Sequence, residues 1–211
     1  MNRRVVLWRH GRTEWNATGR FQGQIDVPLD AEGHRQALDA ARRLAALEPD
    51  LLLSSDLQRT QQTAAALAKL TGLDVMLDER LRETYAGEWE GCTIEEIARR
   101  FPDQYAAWRA GDSRVRVGGG ESREEVAERI AAGVTDAVAK IPDDGLAVLT
   151  SHGGASRLGI GKLIGMSQES YTSIGPLSNC SWSMMRKTEH GWILVEHNAG
   201  TLPEPVGVVE G

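Results

Sequence analysis

Apolar positions along the chain fall into two alternating patterns. "RRVVLWR", "DLLLSS" and "LAVLTS" are short continuous runs that suit buried strands, and each lies upstream of a stretch with helical spacing. Residues 30–47, "DAEGHRQALDAARRLAAL", place Ala37, Leu38, Ala41, Leu44 and Ala45 on one face and predict an amphipathic helix. "LQRTQQTAAALAKL" predicts a second helix, capped by Asp56 and stopped at Gly72. "LDVML" reads as a short strand, "ESREEVAERIAAGVTDAVAKI" as a third helix and "GGASRLGIGKLIG" as a fourth that opens on glycines. "CSWSMMRK" and "GWILVEHN" flank a turn at residues 189–191 and predict a hairpin.

Strands alternating with helices predict an α/β fold, a three-layer α/β/α arrangement with a mostly parallel central sheet. Residues 80–120 interrupt the alternation. They are polar and aromatic, and read as short helices joined by loops, a lid-like insertion in one domain spanning residues 1–199. Residues 200–211 carry prolines without periodicity and are expected to form a C-terminal tail.

Length and composition narrow the function without naming it. At 211 residues the chain suits one well-buried domain, and 41% hydrophobic with 26% charged residues is ordinary for a globular protein. No apolar run is long enough to cross a membrane, and the N-terminal "MNRRVVLWRHG" meets a histidine too early for a signal peptide, so the expectation is a cytoplasmic protein with no membrane partner. A net charge of -6 argues against general affinity for nucleic acid, so any anion site must be local. Cys92 and Cys180 form no close-spaced motif, and His34, His190 and His197 show no ligand spacing, so neither a metal nor another cofactor is expected. Cys180 stands five residues before Arg186, as in cysteine-dependent phosphatases, but the intervening "SWSMM" has no glycine and alternates like a strand.

Chemistry gathers at the strand ends. The first strand ends in Arg9 and His10, "LLLSSDLQR" leads to Arg59 in the next helix, and "LAVLTSHGG" ends in His152. In open α/β sheets the ligand crevice lies outside the carboxyl ends of the strands, so these residues converge on one edge. Two arginines and two histidines suit a phosphate, whose oxygens accept paired, charge-assisted hydrogen bonds. Gly153 and Gly154 would add free N–H groups at a helix N-terminus.

The ordered set "RHGRTEWN", "FQGQIDVPLDAEG", "SSDLQRTQQTA", "RLRETYAGEWEG", "GGGES" and "SHGG" resembles the histidine phosphatase superfamily, within it the phosphatase branch of the phosphoglycerate mutase-like proteins. That resemblance implies a phosphomonoesterase working without metal through a phosphohistidine. His10 would be the nucleophile, and Arg9, Arg59 and His152 would hold the phosphoryl oxygens. Asn16 would add a side-chain donor, Gln22 and Gly23 would lie at the substrate mouth, and Glu83 would be the proton donor. Chemistry agrees that an alkoxide leaving group needs an acid and that His10 must be neutral, with a fixed tautomer. The family's habits also favour a homodimer acting on a small phosphorylated metabolite: phosphoglycerate, a glucosylated phosphoglycerate, a sugar phosphate or a nucleotide-derived monoester.

Two other functions share these residues. A phosphoglycerate mutase would return the phosphoryl group to a second hydroxyl, and the basic loop holding Arg109, Arg114 and Arg116 keeps it in view. A non-catalytic module could bind phosphorylated partners in the same pocket. Arg12, where the family more often has an acidic or polar residue, is open between binding a substrate carboxylate and facing solvent.

Overall fold

A computed structural model of the chain describes residues 2–200. The tail expected at residues 200–211 falls, from Thr201 onward, outside the described residues. Six strands form one sheet: β1 (Arg3–Arg9), β2 (Leu51–Ser54), β3 (Val75–Leu77), β4 (Leu146–Ser151), β5 (Trp182–Thr188) and β6 (Gly191–Ala199), in the order β3-β2-β4-β1-β5-β6. The first four run parallel, and the β5–β6 hairpin joins β1 antiparallel, so the mostly parallel expectation holds with a mixed edge.

Side chains alternate across a strand, and here both faces are covered, which explains the continuous apolar runs. Val5 and Leu7 pack with Val126, Ile130 and Leu158, from α6 (Arg123–Ala139) and α7 (Gly153–Leu163). Val6 and Trp8 face the other way, onto Ala37, Ala41 and Leu44 of α2 (Ala31–Ala45) and Leu67 of α3 (Gln58–Thr71). Three layers result. No helix among the described residues is long and apolar enough to cross a membrane.

Register positions the site. Arg9 pairs with Ser151 across β1 and β4, and Ser54 pairs with Thr150 across β2 and β4, so the chain leaves all three strands at the same edge. His10 and His152 each follow one of these ends directly.

Several local expectations change. Leu38 is exposed, and Ala40 instead joins the buried face of α2, because helical drift carries Leu38 to the solvent flank. Asp56 does not cap α3, whose N-cap is Leu57 with no side-chain bond. The Asp56 carboxylate is taken by Arg82, whose Nε donates to Oδ1 at 2.7 Å. The hairpin begins at Trp182 rather than Cys180, which sits in the preceding turn at φ 56° with its carbonyl accepting from Trp8 Nε1. Within residues 80–120, α4 (Ile94–Arg100) and α5 (Pro102–Arg109) surround an apolar cluster of their own, in which Trp89 and Trp108 meet edge to face at 5.8 Å. One short helix was not foreseen, α1 (Glu14–Ala17), a single turn closed by a capping box between Thr13 and Asn16.

Candidate active site

A cavity of about 270 Å³ opens at this edge, and Arg9, His10, Asn16, Gln22, Gly23, Arg59, Glu83 and Gly153 all line it. Its remaining wall includes Phe21, Trp108, Val117, Arg123 and Arg157. His152 lies one layer behind.

His10 is buried at 3% exposure, and its Nδ1–H donates to the Gly11 carbonyl at 2.7 Å. That bond puts the proton on Nδ1 and leaves the Nε2 lone pair free. Burial first, then the charges of Arg59 and Arg9, hold the imidazole pKa well below its ordinary 6.5, so the ring is neutral at pH 7. The backbone around it is clamped: the Gly11 N–H donates to Thr63 Oγ1, and the His10 carbonyl accepts from Cys180 N–H and Asn179 Nδ2.

Arg59 is fully buried and spends donors on the carbonyls of Ile25 and Gly23 while its Nε donates to His152 Nδ1 at 3.3 Å. His152 Nε2 therefore carries the proton and faces Ser55 Oγ at 3.2 Å. The two imidazoles stand 5.1 Å apart, and burial first, then the charge of Arg59, keeps the His152 pKa well below 6.5. Arg9 donates to the Leu177 carbonyl, while its Nε is buried with no hydrogen-bond partner among the described residues. Burial lowers the pKa of Arg59 to about 10, and it remains charged. Buried cations are normally paired. Here they line a cavity instead, and Glu83 is the carboxylate whose charge favours both most.

Glu83 is held by backbone. Its Oε1 accepts from the N–H groups of Thr84 and Ala155 at 2.8 and 2.9 Å, and its Oε2 accepts from Gly154 at 3.1 Å. The N-terminus of α7, expected to receive substrate phosphate, is thus occupied largely by a protein carboxyl. A second arginine layer fixes this loop: Arg129 donates to the carbonyls of Arg80, Arg82 and Glu83 and is itself paired with Glu121, while Arg82 is pinned by Asp56.

The supporting residues follow the same logic. Asn16 Oδ1 accepts from Thr13 N–H and Asn179 Nδ2, which turns its amide donors toward the cavity side. Gln22 Oε1 accepts from the Thr13 hydroxyl. Gly23 adopts φ 52°, and a Cβ there would lie 2.1 Å from Glu90 Oε1. Gly153 packs on Arg9, where a Cβ would meet Nε at 3.2 Å.

Other candidates fall away from the site. Arg12 pairs with Asp30 at 2.8 Å and does not line the cavity. Arg114 faces Asp112 and Arg116 is bound to Glu125, and neither reaches the cavity wall. Burial pushes the Cys180 thiol up to about 12, the opposite of an activated thiolate. His197 is engaged by Ser183 and the Gly175 carbonyl. Sequence reasoning missed Arg123, Arg129 and Arg157. The one available signal was that Arg157 falls four residues after Gly153, one helical turn from the site.

The model of the histidine phosphatase superfamily (branch 1) matches residues 5–200, and the chain belongs to that superfamily. A glucosyl-3-phosphoglycerate phosphatase of Mycolicibacterium vanbaalenii is 41% identical over 186 residues, which covers 85% of this chain and 82% of that protein. A probable phosphoglycerate mutase of Enterobacter sp. is 36% identical over 193 residues, 90% of this chain and 87% of its own. The solved structure of a mycobacterial glucosyl-3-phosphoglycerate phosphatase in complex with VO3 matches with a TM-score of 0.87 at 37% identity, covering 94% of this chain and 100% of that one.

Proposed function

We propose that this phosphatase hydrolyses a small phosphomonoester through a phosphohistidine on His10, with a phosphoglycerate or glucosyl-3-phosphoglycerate as the leading substrate candidate. One observation carries the reading: a buried, neutral imidazole with its free nitrogen, in a cavity it shares with half-buried Arg9 and fully buried Arg59, neither of which has an ion-pair partner among the described residues. Arg9 and Arg59 bind the phosphoryl oxygens, Asn16 donates its amide, and His152, one layer behind, accepts from Arg59 Nε and orients that guanidinium toward the phosphate. Gln22, Gly23 and Gly153 shape the wall. His10 Nε2 attacks phosphorus as the P–O bond to the leaving group breaks, and Glu83 passes a proton carried in by the substrate's phosphate monoanion to the departing oxygen. Water then attacks the phosphohistidine while Glu83 takes the proton back, releasing inorganic phosphate. Residues 80–120 act as a cover that brings Glu83 and Trp108 over the phosphate. A soluble cytoplasmic metabolite is the natural substrate for such a pocket, and a homodimer is the assembly the family favours.

The relatives support the substrate candidates, and the family resemblance together with the site's geometry supports the residue roles. Hydrolysis in EDTA of p-nitrophenyl phosphate, 3-phosphoglycerate and glucosyl-3-phosphoglycerate, with phosphate release and isomerisation followed together, tests the reading. Phosphate release without metal supports it. Isomerised phosphoglycerate without release would make the protein a mutase, and no turnover of any substrate would leave a phospho-ligand binding protein.

A further inference from the structure

The phosphate pole uses Arg9 and Arg59; two more arginines, Arg123 and Arg157, line the same cavity. Arg123, the first residue of α6, is 7% exposed, and its NH1 group has no hydrogen-bond partner among the described residues. Its guanidinium lies over the Trp108 ring, 5.1 Å from the centroid. Arg157, on α7, likewise has a buried Nε with no partner. Burial disfavours the charge of both; beyond that, Arg157 disfavours Arg123 further and Glu83 favours Arg157. The same cavity wall therefore carries Glu83 and a second pair of cations beside Arg9 and Arg59.

The treatment of other inward arginines makes this pair unusual. Arg82 is bound to Asp56 and Arg129 to Glu121. Two like charges placed together out of water, with unused donors, are costly unless an anion completes them. Asp112 and Glu83 are the carboxylates whose fields reach Arg123 and Arg157, yet Arg123 NH1 and Arg157 Nε keep unused donors among the described residues. With two carboxylates already nearby, a ligand group of one negative charge suits these donors better than a second phosphate, which would bring close to two. A carboxylate also accepts paired bonds from a planar guanidinium.

We infer that Arg123 and Arg157 form a carboxylate subsite, which makes this enzyme selective for phosphorylated hydroxy acids over neutral phosphorylated alcohols. This rests on the phosphatase reading above and assigns the residues that read the second group.

3-Phosphoglycerate and glycerol 3-phosphate share one carbon skeleton and differ in a carboxylate against a hydroxymethyl, so their kcat/KM ratio isolates the subsite. In the wild type the acid is favoured about tenfold to hundredfold, the worth of one or two charge-assisted hydrogen bonds. Arg157→Met brings the ratio close to one, chiefly through KM for the acid. Arg123→Lys keeps a charge on Trp108 and lowers the ratio less, which guards against a variant that fails by misfolding. Equal kcat/KM values in an active wild type, or an unchanged ratio in folded Arg157→Met, would overturn the subsite and leave the phosphatase reading intact. If no phosphomonoester were hydrolysed, that reading would fall. The subsite would then be decided by thermal shift, where 3-phosphoglycerate must stabilise the wild type more than glycerol 3-phosphate does, and Arg157→Met must erase the difference.

Discussion

At the scale of the residue, the design rests on one proton. The Gly11 carbonyl holds the proton of His10 on Nδ1, and burial with Arg59 and Arg9 keeps a second proton off the ring. The imidazole should therefore titrate well below 6.5 in an NMR pH series. Arg59→Met removes the larger of the two depressing charges and should move the transition upward, toward 6.5. An unmoved transition would mean that burial and Arg9 set it without Arg59. These features differed in how legible they were. The order of Arg9 and His10 at a strand end was plain because the apolar run ends there. Glu83 could be chosen from its acidic neighbours only by motif register, since its grip on Gly154 and Ala155 is a long-range contact that local pattern does not carry. Arg123 and Arg157 were illegible because an arginine on a helix is ordinarily solvated, and only tertiary packing, for Arg123 against the Trp108 ring, turns them to the cavity.

At the scale of the element, the site depends on how closely α2 approaches the end of β1. A Cβ on Gly11 would stand 2.4 Å from the Gly33 carbonyl oxygen, a contact between two backbones that neither can relieve alone. Gly11→Ala should cost about 1–3 kcal/mol in urea unfolding and weaken catalysis as well, since the same residue orients His10. Gly175→Ala, where a Cβ meets nothing within 4 Å, is the matched control and should change stability by less than about 0.5 kcal/mol. Element type was the most readable level, because buried runs and helical spacing recur along the chain. Boundaries and faces were less so. Leu38 for Ala40 is a small rotation that composition cannot distinguish, and Asp56 for Leu57 failed because an ion pair with Arg82 outcompeted a cap. That exchange serves the site, since Arg82 adjoins Glu83.

At the scale of the whole molecule, an acidic chain carries a cationic cavity whose histidines are kept neutral, and this links stability to pH. His10 and His152 have folded-state pKa values below the unfolded 6.5, so below that pH the unfolded chain binds protons that the folded one refuses. Stability must fall as pH drops from 6.5 toward the folded values, by at most about 1.4 kcal/mol per pH unit for each histidine. Asp56 and Asp78, whose pKa values are lowered by Arg82 and Arg80, add their own loss only near and below 3.8. Between these windows the slope belongs to the histidines, and His152→Gln should reduce it in urea titrations from pH 6.5 to 5. Equal slopes would show that His152 is not held neutral. The most direct test of the account is chemical. Rapid alkaline quenching of the enzyme with a 32P-labelled phosphomonoester should leave label on the wild type as an acid-labile, alkali-stable adduct that peptide mapping places on His10. His10→Ala should fold normally, carry no label and lose activity by about a thousandfold or more. A folded His10→Ala enzyme that still turns over substrate at a comparable rate, or label mapped to another residue, would contradict the mechanism.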